Sequence, residues 1–145
     1  MKTLKDYLKS IGACESAVEW AGDKTIEQVV AECHRGDWLL WLVQKCGVEL
    51  QPPTLAKGCC ANTVRHLMTD ERSLKAVDIA IAFGEGRATA DELNAASAAH
   101  DDDADYVAYA AEFNVIQRQA ADICRKHIGE LIIEKVNQTL NPIKL

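Results

Sequence analysis

Cys124 and His127 stand three residues apart, a spacing that puts a thiol and an imidazole on one face of a helix. Such a pair could act as nucleophile and base, or supply two ligands of a zinc site completed by Cys59, Cys60 and His66. No C-x-x-C knuckle accompanies them, no carboxylate is placed by sequence to orient the histidine, and a buried cysteine often serves simply as a small hydrophobe. The adjacent Cys33 and His34 diverge on a helix and cannot form a nucleophile and base. Gly84-Glu85-Gly86-Arg87 lacks the preceding strand that a dinucleotide-binding turn requires. The expectation is therefore a protein without catalysis, without a metal and without a cofactor.

The acidic residues carry more information. Residues 87–122 hold Asp91, Glu92, Asp101, Asp102, Asp103, Asp105, Glu112 and Asp122 against only Arg87 and Arg118. The whole formal charge of −6 thus lies in this segment, and the rest of the chain balances to zero. Asp101 and Asp105 could share a cation at i, i+4, but the glycine pattern of a calcium loop is absent. Asp101, Asp102, Asp103 and Asp105 beside Tyr106 and Tyr109 read instead as a docking face: the field attracts a basic protein partner and the tyrosines anchor it. Eight acids over this length fall short of regular phosphate spacing, so nucleic-acid mimicry is not expected.

An acidic balance argues against a nucleic-acid or anionic-membrane partner. The longest purely apolar run, residues 38–43, is far too short to cross a bilayer, and charges at Lys5, Asp6 and Lys9 interrupt any export signal. Six scattered cysteines without a regular framework then read as free thiols in a cytoplasmic protein.

The elements that must position these residues are helical almost throughout. With 145 residues, 48% hydrophobic and rich in alanine, the chain is expected to form one all-α domain, a bundle of about seven to eight helices over residues 1–145. Its N-terminal helices cover 1–47, its middle helices 54–86 and its acidic, alanine-rich C-terminal helices 88–140. Leu4, Tyr7, Leu8 and Ile11 form the stripe of a first helix ended by Gly12, and a second covers about residues 14–21. Thr25 is placed to cap a third helix carrying Ile26, Val29, Val30 and Cys33 inward.

In the string Gly36-Asp37-Trp38-Leu39-Leu40-Trp41-Leu42, Gly36 is expected to close helix three in a left-handed conformation and Asp37 to cap helix four. Trp38 and Trp41 then read as core, each worth about 3–5 kcal/mol if removed. Residues 48–53 read as a loop stiffened by Pro52 and Pro53, with Thr54 capping a helix that reaches about Met68. Asp70-Glu71-Arg72 opens the next helix, which Gly84 and Gly86 end, and Thr89 to Glu92 forms a capping box. The final stripe runs through Cys124, Ile128, Leu131, Ile132 and Val136, with a bend expected at Gly129 and a stop at Asn141-Pro142.

Ala13-Cys14, Ala17-x-x-Trp20-Ala21, the tryptophan string, Asp70-Glu71-Arg72, Glu92-Leu93 with the tyrosine-bearing alanine-rich stretch, and Gln119-Ala120-Ala121-Asp122-Ile123-Cys124-Arg125 occur in an order that resembles the immunity-protein family of bacterial polymorphic toxin systems. The resemblance spans roughly residues 13–127. It implies an all-helical cytoplasmic protein that binds and neutralises a toxin effector, with Gly36, Asp37, Trp38 and Trp41 as structural positions. The alternative expectation is a phage or mobile-element accessory protein that turns the same scaffold against a host protein.

Overall fold

A computed structural model describes residues 2–63, 65–99 and 113–142, and among these the fold is all-α with no strand. The helices are α1 (Leu4–Ser10), α2 (Glu15–Ala21), α3 (Ile26–Glu32), α4 (Gly36–Lys45), α5 (Gln51–Asn62), α6 (Glu71–Gly84), α7 (Ala90–Ala99), α8 (Phe113–Cys124) and α9 (Glu130–Leu140). A single 3-10 turn, Arg65–Leu67, separates α5 from α6. A π-helical turn, Arg125–Gly129, joins α8 to α9 in one rod, so the described residues make eight helical bodies.

Local chemistry accounts for several helix ends. Thr3 caps α1 and Thr25 caps α3, each through a reciprocal box with Asp6 and Gln28. Thr89 and Glu92 exchange the same two bonds ahead of α7. Asp70 accepts from the Arg72 amide at the start of α6. Gly12 and Gly22, with φ of 86° and 47°, turn the chain after α1 and α2.

The expected proline loop is instead the first turn of α5, which starts at Gln51 with Pro52 and Pro53 just inside it. Amides of a first turn have no intrahelical acceptor, so proline loses nothing there and its fixed φ suits the helix. Thr54 consequently lies within the helix and does not cap it; its amide and its Oγ1 both donate to the Leu50 carbonyl, at 3.1 and 2.7 Å. At its other end α5 stops at Asn62, short of the expected Met68.

The core runs from Leu4, Tyr7 and Leu8 of α1 through Ile26, Val29 and Val30 of α3 to Leu39, Leu42 and Val43 of α4. Cys124, Ile128, Ile132 and Val136 of the C-terminal rod close it, none more than 1% exposed. Close contacts between elements use missing side chains. Gly36 at the start of α4 lies against Ala120 and Ala121 of α8, and Gly84 at the end of α6 lies against the Leu55 backbone of α5.

The rod also finishes the ends of two other helices. Gln117, buried on α8, accepts from the Asp37 amide at 3.1 Å and so caps α4 from a distance. Arg125, on the π turn, donates one guanidinium nitrogen to the carbonyls of Val30 and Cys33, at 3.0 and 2.8 Å, and satisfies the C-terminal end of α3. Replacing Arg125 by methionine keeps the side-chain stem but orphans those carbonyls. Chemical denaturation is expected to show a loss of about 2 kcal/mol; an unchanged midpoint would show that water caps α3 equally well.

Candidate functional site

The tryptophan string folds differently from its sequence reading. Gly36 is not left-handed and does not close α3; it is the first residue of α4, and α3 ends in an extended Cys33 with φ −65° and ψ 127°. A Cβ at position 36 would meet the backbone of Ala120 at 2.8 Å and of Ala121 at 2.9 Å, so glycine is required by proximity. Asp37 does not cap α4 either. Its carboxylate accepts two bonds from Arg35, at 2.9 and 2.7 Å, and leaves capping to Gln117.

Trp38 and Trp41 are half-buried and pack on the edge of the core without entering it. The third tryptophan, Trp20 of α2, meets Trp38 with ring centroids 6.1 Å apart and planes tilted by 57°. All three line one apolar groove of about 420 Å³ between the α1–α2 turn and α4. Its floor is made by Leu8, Val29, Leu39 and Leu42, while Ala13 and Ala17 are too small to fill the space between the indoles. The volume falls within the range of sites that accept a small molecule or a few side chains.

A cation lies over each indole. The Arg35 guanidinium is 4.8 Å from the Trp38 centroid, the Lys24 ammonium 4.9 Å from Trp20 and the Lys45 ammonium 5.7 Å from Trp41. Lys24 also donates to the Trp20 carbonyl at 3.1 Å, and Arg35 is held by Asp37, so the stacks around Trp20 and Trp38 are anchored. Each stack contributes roughly 0.5–1 kcal/mol at a partly exposed site, and together they fix the ring orientations that shape the groove.

The lining of the groove is mostly apolar. Its titratable lining is Asp37, already paired with Arg35, together with Cys14 and Cys33. Burial pushes the Cys33 thiol up, away from the reactive thiolate, while its Sγ accepts from the Arg35 amide at 3.4 Å. The acids of α2, Glu15 and Glu19, face Lys5 and Lys9 of α1 on the other side of the helix.

The other sequence candidates fare as follows. Asp101, Asp102, Asp103, Asp105, Tyr106 and Tyr109 lie outside the described residues. Cys124 is fully buried and meets Cys60 of α5, whereas His127 is half-buried on the π turn and His66 is exposed. Among the described residues no group of three or more His, Cys, Asp or Glu is placed to hold a metal, and no helix is long and apolar enough to cross a membrane. Sequence reasoning missed Trp20 as a partner of Trp38, along with the cations that stack on the indoles. The available signal was Lys24 four residues after Trp20, Lys45 four after Trp41 and Arg35 three before Trp38.

No protein-family model, curated protein or solved structure matches the chain.

Proposed function

We propose that the protein is an immunity-type binding protein that neutralises a toxin effector by direct contact, without chemistry of its own. The observation that carries this reading is the half-open groove where all three tryptophans gather. Tryptophan in a partly desolvated pocket is the side chain that most often dominates a protein interface. The sequence resemblance supports the same reading. The occupant that fits is an effector segment with an aliphatic or aromatic side chain seated among Trp20, Trp38 and Trp41. Carboxylates beside that side chain would complement the cationic margin of Lys24 and Lys45.

The acidic segment adds a steering role toward the basic remainder of such an effector. Neutralising Asp101, Asp102, Asp103 and Asp105 together is expected to slow association and flatten its salt dependence in stopped-flow measurements, with dissociation little changed. Association kinetics identical to the parent chain would remove the charge argument.

The reading itself is tested by co-expressing the chain with candidate toxin effectors and by titrating the purified proteins against each other. Growth rescue with a stable complex of the two is the expected result. A stable complex with a host protein and none with the toxin would replace this reading with the mobile-element alternative.

A further inference from the structure

The groove of Trp20, Trp38 and Trp41 carries charge of one sign. Lys24, Arg35 and Lys45 each stand over one of its indoles, and the carboxylate in its lining, Asp37, is engaged by Arg35 at 2.9 and 2.7 Å. Three tryptophans around a cavity ordinarily make a cage for a cation, because the faces of their rings are electron-rich. Here the rings already meet cations of the protein itself. A cationic ligand would face three like charges, and the one lining group that could offset them is paired.

An anion meets the opposite situation. The Lys45 ammonium, 5.7 Å from the Trp41 centroid, makes no hydrogen bond or ion pair among the described residues. Lys24 uses one donor on the Trp20 carbonyl at 3.1 Å and keeps two more. Both can receive a carboxylate at the groove margin.

Shape sets the rest of the ligand. Trp20 and Trp38 stand with ring centroids 6.1 Å apart and planes tilted by 57°, and Ala13 and Ala17 leave the space between the indoles open over the Leu39 and Leu42 floor. A flat ring entering there gains offset or edge-on contact with the indoles, which an aliphatic chain does not. At about 420 Å³ the groove is of a size that encloses a small molecule.

We infer that the groove is a binding site for a small aromatic carboxylic acid, with its ring among the tryptophans and its carboxylate on Lys45 and Lys24. The Arg35–Asp37 pair sets the preference for an anion over a cation. This binding needs no effector, and an acid seated there fills the space proposed for an effector side chain.

The test is titration calorimetry of the chain alone with naphthylacetate, naphthylethanol and naphthylethylamine, which share one ring system and differ in charge. NMR of the indole Nε1–H groups locates the site. The acid is expected to bind with a dissociation constant of about 0.1–1 mM and to shift the resonances of all three tryptophans. The alcohol should bind about threefold more weakly, and the amine at least about tenfold. Lys45→Met should weaken the acid about threefold and leave the alcohol unchanged. Arg35→Met uncovers the Trp38 ring and releases Asp37, so the amine should gain at least about fivefold. The proposal is overturned if no probe binds, if the acid leaves the tryptophan resonances in place, or if the amine binds the parent chain as tightly as the acid. An alcohol that matches the acid overturns the carboxylate contact, and octanoate bound more tightly than naphthylacetate overturns the aromatic ring. A chain that binds the acid and no effector keeps this site and loses the immunity reading.

Discussion

Gly36→Ala is expected to destabilise the fold by about 3 kcal/mol, measured as a shift of the denaturant midpoint at constant slope. A methyl group at this position adds no polar atom and strains no dihedral, because Gly36 lies outside the left-handed region. The cost is purely one of distance. The new carbon would collide with the Ala120 side chain and approach the Ala120 carbonyl carbon to 2.8 Å and the Ala121 nitrogen to 2.9 Å. Backbone atoms cannot rotate aside as a flexible side chain does, so α4 must move away from α8. That movement stretches the Gln117 bond to the Asp37 amide and the Cys124 bond to the Gly36 carbonyl together.

The companion variant Gly36→Ala with Ala120→Gly removes one of the two colliding methyl groups and is expected to recover part of the loss. The two changes are in contact and so must be non-additive. Independent, additive effects would show that α4 and α8 do not depend on this close approach. Gly12→Ala is the useful contrast, because nothing lies within 4 Å of its Cβ and the φ of 86° alone sets its cost. Only about 1 kcal/mol is expected there.

Trp38→Ala is expected to separate stability from binding. As a core residue Trp38 would cost about 3–5 kcal/mol on truncation. As the half-buried wall of a groove it should cost about 1–2 kcal/mol, since much of its surface already faces water. Partner affinity should meanwhile fall by about 2–4 kcal/mol, or roughly 30- to 1000-fold by titration calorimetry. Arg35→Ala removes the cation from the same ring while leaving the indole in place, and a smaller affinity loss is expected. A Trp38→Ala protein that unfolds as a core variant would, or that binds the effector as tightly as the parent chain, contradicts the groove as the contact surface.

Where sequence and structure agree, the deciding interactions were local. The boxes at Thr25 and Thr89 join residues three apart, and the stripe Ile26, Val29, Val30 and Cys33 is written at helical spacing, so neighbours in the chain are enough to read them. Where they part, the deciding atoms come from far along the chain. Gly36 looks like a helix terminator until Ala120 is placed against it, and Asp37 looks like a cap until Gln117 arrives 80 residues later to take that role. The tryptophans were misjudged for a related reason. Apolar residues all round a helix imply burial on all sides only if neighbours cover every side, and the alanines of α2 leave one side open. Pro52 and Pro53 show the limit of residue-type rules, because the same ring that breaks a helix interior is at home in its first turn.

The π turn between α8 and α9 acts as a vernier. Ala120, Cys124, Ile128, Ile132 and Val136 are buried at a strict interval of four residues. An α-helix advances about 100° per residue, so a four-residue interval slips by about 40° at each step and by about 160° over the whole series. An unbroken α-helix would carry Val136 almost to the far side from Ala120. The wider turn at Arg125–Gly129, closed by bonds to the fifth residue, winds the stripe back by about 100° and leaves only about 60° of slip, within the width of one buried face. Deleting one residue within that turn would let it close as ordinary α-helix with Ile132 and Val136 still facing the core, whereas deleting one residue of the rod between Glu130 and Ile132 would rotate both by about 100°. Tolerance to insertions and deletions along this rod is thus set by angular phase, and a four-residue repeat sustained over five buried positions is itself the written trace of a π turn.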